Sequence, residues 1–187
     1  MKKPKVCIVT TRNIFDAPCL QKYRELINQP YDIIYWDRCN ISEDCGAVNY
    51  YQFNGVLAPE ASKFEKFKKY IGFAKFAKNV LKNSDYQKII VFPTQAAWLT
   101  LPILKKKYKG KYLLDIRDYA GEKSFFIRKL TESAVKYAGL VSLTSPAYRE
   151  FLPKREYLIS HNIQPIDPET VAAYRGRVRN KGDKIVL

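Results

Sequence analysis

Short apolar runs, most of them followed by a helical stretch, leave few folds open to this chain. KIIVF at 88–92 and LVSLT at 140–144 are apolar almost throughout, as strands covered on both faces must be. Further strand-like runs sit at 5–11, 31–36, 49–53, 112–117 and 156–160. Helical periodicity occupies about 16–28, 60–82, 95–108, 123–138 and 146–151. Gly139, with Lys136 in the turn before it, stops one helix, and Ser145-Pro146 starts the next as cap and first helical residue. Strand, helix, strand in repetition predicts an α/β fold: a doubly wound, Rossmann-like parallel sheet of six to seven strands with helices on both faces. A 47% apolar composition supplies its core, and 187 residues suit one domain plus a fragment. That domain is expected over 1–163. Residues 164–187 read as a linker with a short helix, ending in KIVL as the start of a second domain near Lys184.

Ligands of such sheets gather at the carboxyl ends of the strands, and four polar groups fall there. Arg12, Asn13 and Asp16 follow the first strand, and Thr94 and Gln95 follow KIIVFP. Asp115, Arg117 and Asp118 close YLLDIRD, and His161 and Asn162 follow YLIS. Together they are expected to line one substrate-binding cleft. Each has a plainer reading: Asp16 and Asp118 as helix caps, Asp115 and Arg117 as a pair on one face of an extended segment, His161 as a loop residue.

Several chemistries lack their signatures. The first strand-to-helix turn, TTRNIFDAP, has no glycine, so the dinucleotide fingerprint fails, and there is no P-loop sequence. No G-x-S-x-G elbow occurs, and His161 is the single histidine, which argues against a Ser-His-Asp hydrolase. Cys7, Cys19, Cys39 and Cys45 form no C-x-x-C pair and read as reduced thiols. No metal or cofactor is expected. Met1 to Lys5 lead straight into a strand run, so no signal peptide is expected. The 16-residue uncharged run IIVFPTQAAWLTLPIL, interrupted by Pro93 and Pro102, is too short and broken to span a bilayer.

The net charge of +15 calls for an anionic partner. Residues 61–113 hold 13 lysines against Glu65 and Asp85. Within them, on a helical wheel, Phe64, Phe67, Ile71, Ala74 and Leu81 form one stripe, expected to be core. Phe73 and Phe76 fall on another side, flanked by Lys66 and Lys69, an arrangement expected to contact an anionic membrane surface. Gly72, in the middle, is a candidate break in this helix. A doubly wound module that binds nucleic acid or another anionic polymer is the competing reading, although no RRM, KH, helix-turn-helix or finger signature is present.

Three stretches resemble the N-terminal domain of GT-B glycosyltransferases of the group 1 type, bacterial enzymes of capsule and O-antigen polysaccharide synthesis. VCIVTTRNIFDAPCLQKYRELINQPYDIIYWD resembles their opening strand, loop, helix and second strand. KYLLDIRDY resembles their D-x-R-D segment, and GLVSLTSPAYREFL with REYLISHN resembles their strand, Ser-Pro helix and final strand. The chain departs at Ser160-His161-Asn162, where relatives carry Pro-Asn, and at Thr94-Gln95, where many carry a histidine. The resemblance implies the acceptor-binding half of a retaining enzyme that moves a sugar from a nucleotide-sugar donor to a lipid-linked acceptor, at the cytoplasmic face of the membrane. It also implies no bound metal, and donor contacts in a second domain. Asp115 and Arg117 are then expected to support each other, and Asp118, one residue further out, is the candidate catalytic residue that touches acceptor or donor.

Overall fold

The computed structural model describes residues 4–41, 44–58, 60–118 and 124–161. In chain order the elements are β1 (Val6–Thr10), α1 (Pro18–Leu26), β2 (Tyr31–Asp37), β3 (Tyr50–Asn54), α2 (Lys63–Asn83), β4 (Lys88–Phe92), α3 (Thr94–Lys107), β5 (Tyr112–Ile116), α4 (Phe125–Tyr137), β6 (Leu140–Leu143), a 3-10 turn (Pro146–Phe151) and β7 (Leu158–Ile159). The seven strands form one sheet in the order β3-β2-β1-β4-β5-β6-β7, and every neighbouring pair is parallel. The direction of winding reverses between β1 and β4, which makes that gap the topological switch point. The expected fold class is therefore the observed one. The expected linker over 164–187, and the boundary at 163, lie outside the described residues.

Side chains alternate across the sheet with the two-residue period of a strand. Cys7, Val9, Ile34, Trp36, Ile89, Val91, Leu114 and Ile116 join α2, α3 and α4 in one core. Val6, Ile8, Ile33, Tyr35 and Phe92 face the other way and join Cys19, Leu20 and Tyr23 of α1. Among the described residues, helices thus cover both faces, α2, α3 and α4 on one side and α1 on the other.

Helix α2 overturns the expected assignment of its faces. Phe73 is 0% exposed, stacked on Trp36 at 5.8 Å between ring centroids and edge-on to Phe53 at 5.9 Å. Phe76 is partly buried against the same Phe53 ring. Phe73 is thereby closed to a membrane, and Phe76 gives part of its ring to the sheet. Phe64 and Phe67, expected in the core, are 63% and 60% exposed. The reason is length. Twenty-one helical residues span about 31 Å, whereas five strand residues span about 17 Å. The buried residues of α2 are Phe73, Ala74, Ala77 and Leu81, all in its second half, so its first turns overhang the carboxyl end of the sheet. The start is secured by a capping box, in which Ser62 accepts from the Glu65 amide and Glu65 accepts from the Ser62 amide.

Gly72 does not break the helix. A side chain there would stand 2.9 Å from Phe53, so the missing Cβ is what lets the Phe53 ring lie on α2. Gly139 has a similar task at the other end of the sheet, where an added Cβ would come within 2.4 Å of the Gly110 carbonyl oxygen. Nearby, Arg155 donates to the carbonyls of Ala138 and Gly139, at 3.1 Å each, and to that of Val135. It thereby closes the end of α4, which leaves unsatisfied carbonyls like any helix C-terminus.

Candidate functional site

The switch point opens into a cleft of about 820 Å³ between the start of α1 and the carboxyl ends of β4 and β5. Arg12 and Asp16 come from the loop after β1, Lys22 and Glu25 from α1, Phe92 and Pro93 from the end of β4, and Arg117 and Asp118 from the end of β5. Among the described residues the wall carries three cations (Arg12, Lys22, Arg117) and three anions (Asp16, Glu25, Asp118). In a chain of net charge +15 this is a locally balanced surface, rich in both donors and acceptors.

Its floor is held by β5. Period two puts Asp115 and Arg117 on one face, and Arg117 Nε lies 2.6 Å from Asp115 Oδ2. Asp115 is completely buried, and its Oδ1 has no hydrogen-bond donor among the described residues. Burial is the largest influence and works against the Arg117 charge, but the charge and hydrogen bond of Asp115, with Cys19 and Tyr23 beside it, together raise the Arg117 pKa. The Arg117 carbonyl accepts from Thr144 Oγ1 at 2.8 Å and from the Tyr148 hydroxyl at 3.5 Å, so the segment after β6 fixes the turn that carries Asp118. Tyr23 of α1 lies beside the pair. Burial first, and then the Asp115 carboxylate, push its phenol up, which leaves it a neutral donor at neutral pH. Burial likewise pushes the neighbouring Cys19 thiol up to about 11, so it is no nucleophile at neutral pH.

On the other wall Arg12 pairs with Asp16 at 3.0 Å, a half-exposed i,i+4 contact that orients the loop and adds little stability. Asn13 is turned away from the cleft. Its side-chain amide donates to Asp37 Oδ1 at 3.1 Å, and its oxygen accepts from the Arg38 amide at 3.1 Å. Asp37, at the end of β2, also accepts from the amides of Cys39 (3.0 Å) and Asn40 (2.7 Å), and from Gln52 Nε2 (2.7 Å). Burial raises its pKa, but these donors win and hold the carboxyl below its ordinary value. Thr94 and Gln95 begin α3. Thr94 is buried, and among the described residues its Oγ1 finds no partner and no side chain caps this first turn.

The expected residues are thus sorted. Arg12, Asp16, Arg117 and Asp118 share the cleft; Asp115 supports it from below, and Asn13 braces its rim. His161 is exposed, and its carbonyl accepts from Lys22 Nζ at 3.4 Å, so the end of β7 does reach α1. Asn162 lies outside the described residues. Sequence reasoning missed Lys22 and Glu25, which lie one turn apart on α1 and could have been found by asking which face of that helix meets the β5 end. It also missed Tyr23, whose aromatic ring stacks on Phe92 with 5.8 Å between centroids. Among the described residues, no cluster of three or more His, Cys, Asp or Glu is placed to hold a metal ion, and no helix is long and apolar enough to cross a membrane.

No protein-family model matches the chain, and neither does any curated protein. Among solved structures it is similar to a sucrose-phosphate synthase from Thermosynechococcus elongatus. The TM-score is 0.59 at 12% sequence identity, covering 91% of this chain and 95% of that one. At that identity the likeness is one of fold.

Proposed function

We propose that this chain is the acceptor-binding half of a glycosyltransferase. It would hold the acceptor for a sugar delivered from a nucleotide-sugar, with donor contacts and completion of the site supplied by a second domain. The observation that carries this is the charge-balanced cleft at the switch point, lined by Arg12, Lys22, Arg117, Asp16, Glu25 and Asp118. A saccharide offers hydroxyls that both donate and accept, and mixed charged groups in a wide cleft satisfy both without a net field. A nucleic acid would require the opposite, a cleft of one sign, and the lysine excess lies elsewhere. The fold likeness to a sucrose-phosphate synthase supports sugar chemistry. The resemblance of KYLLDIRDY to a D-x-R-D segment supports a retaining transfer onto a lipid-linked acceptor at a cytoplasmic membrane face, as in capsule and O-antigen synthesis. Asp118, exposed at the mouth, is the residue assigned to touch the acceptor. The buried Asp115–Arg117 pair positions it.

Titration of the isotope-labelled chain with a panel of mono- and disaccharides tests this. Shifts are expected at the backbone resonances of Arg12, Lys22 and Arg117, and Asp118→Asn and Lys22→Gln should each weaken binding roughly tenfold, the loss of one charged hydrogen bond. Duplex DNA moving those resonances while every saccharide leaves them still would overturn the reading. Sugar transfer catalysed by the isolated chain would overturn its division into halves.

A further inference from the structure

The overhanging first half of α2 exposes three large apolar side chains that none of the described helices or strands covers. Phe64 is 63% exposed, Phe67 60% and Ile71 39%, and no residue between Lys63 and Gly72 is buried. At about 100° per residue these three fall within roughly 60° of one another. Their arc is centred about 100° away from the Phe73, Ala77 and Leu81 face that meets the sheet. The same half carries Lys63, Lys66, Lys68 and Lys69, and the second half adds Lys75, Lys78 and Lys82. Lys68 Nζ lies 4.4 Å from the centre of the Phe64 ring, its stem alongside the apolar arc and its ammonium in water. The single acid of the helix, Glu65, is committed to Ser62.

We propose that this half of α2 docks on an anionic lipid surface, with Phe64, Phe67 and Ile71 entering the interface and the lysines on the headgroups. The charge and the shape agree on this occupant. Seven lysines face one acid on the helix, and its amino end, the positive pole of the helix dipole, is the end that protrudes. Phenyl and isobutyl-sized groups without hydrogen-bonding atoms suit an acyl boundary, and flexible ammonium groups suit headgroups. Arginine, the better fork for phosphate and base edges, is absent from α2. The inference rests on the membrane-side acceptor of the preceding reading for its biological setting.

Co-sedimentation of the full chain with phosphatidylcholine vesicles, alone or containing phosphatidylglycerol, tests it. Binding should require the anionic lipid and fall as salt rises. The triple variant Phe64→Ser, Phe67→Ser, Ile71→Ser should fold normally, because these groups are exposed, and lose roughly tenfold or more in partition. Lys68→Gln, Lys75→Gln and Lys78→Gln should each lose about fivefold. In Phe67→Trp, emission should shift to the blue on anionic vesicles only. Equal binding by wild type and triple variant, or no binding by wild type, would overturn the proposal. So would concentration-dependent self-association removed by the same substitutions, which would assign the surface to a second copy. The vesicle assay contains no sugar and the saccharide titration no lipid, so either reading can fall without the other.

Discussion

Asp37 holds the cleft rim together although it never touches the cleft. Its carboxylate gathers Asn13, three backbone amides and Gln52, and so ties the loop after β1 to the ends of β2 and β3. Because these donors depress its folded pKa, its contribution is complete above the unfolded value near 4. It is lost as pH falls below that value and through the depressed one. Asp37→Asn should therefore cost about 3 kcal/mol at pH 7 by denaturant titration, since it turns an acceptor of charged hydrogen bonds into a donor. The gap between wild type and variant should narrow as pH drops below about 4. A gap independent of pH would show that the carboxylate is not the stabilising form. Nothing at the sequence level singled out Asp37 or the orientation of Asn13, because the two are 24 positions apart and only the sheet brings them together. The Asp115–Arg117 pair was legible, since its two-residue spacing is itself the geometry of a strand.

Helix α2 shows how an element can be read correctly and oriented wrongly. Its existence and length follow from periodicity, whereas its continuity through Gly72 is decided by the Phe53 ring, and two apolar arcs compete on its wheel with nothing local to rank them. The decision belongs to Trp36 and Phe53, which come from other strands and need a flat ring opposite them. Phe73 supplies it. Phe73→Ala should thus cost about 3–5 kcal/mol in thermal or denaturant unfolding, an effect out of reach of any exposed phenylalanine of the same helix. A loss under 1 kcal/mol would mean that the aromatic cluster does not set the packing of α2.

Across the whole molecule, the order of elements was legible because the strands are short, mostly apolar and, except between β2 and β3, separated by helical segments, and the parallel sheet follows from that alternation. The cleft was legible only in outline. Residues following strands could be named, whereas Lys22, Glu25 and Tyr23 depended on where α1 lies across the sheet. The distribution of charge was legible in part: the 13 lysines over 61–113 already marked the helix layer as basic, but nothing in the sequence showed that the cleft is balanced. Saccharide affinity, measured by the same titration, should stay within about twofold over a salt range that strips the chain from anionic vesicles, because a cleft without net charge offers no long-range field to screen. A parallel collapse of both would place the basic surface inside the sugar site. On the two proposals taken together, the six compensating charges of the cleft wall would do more than bind. They would insulate selection of a substrate from the ionic conditions that govern where the molecule resides, so that address and grip could be tuned as two separate dials.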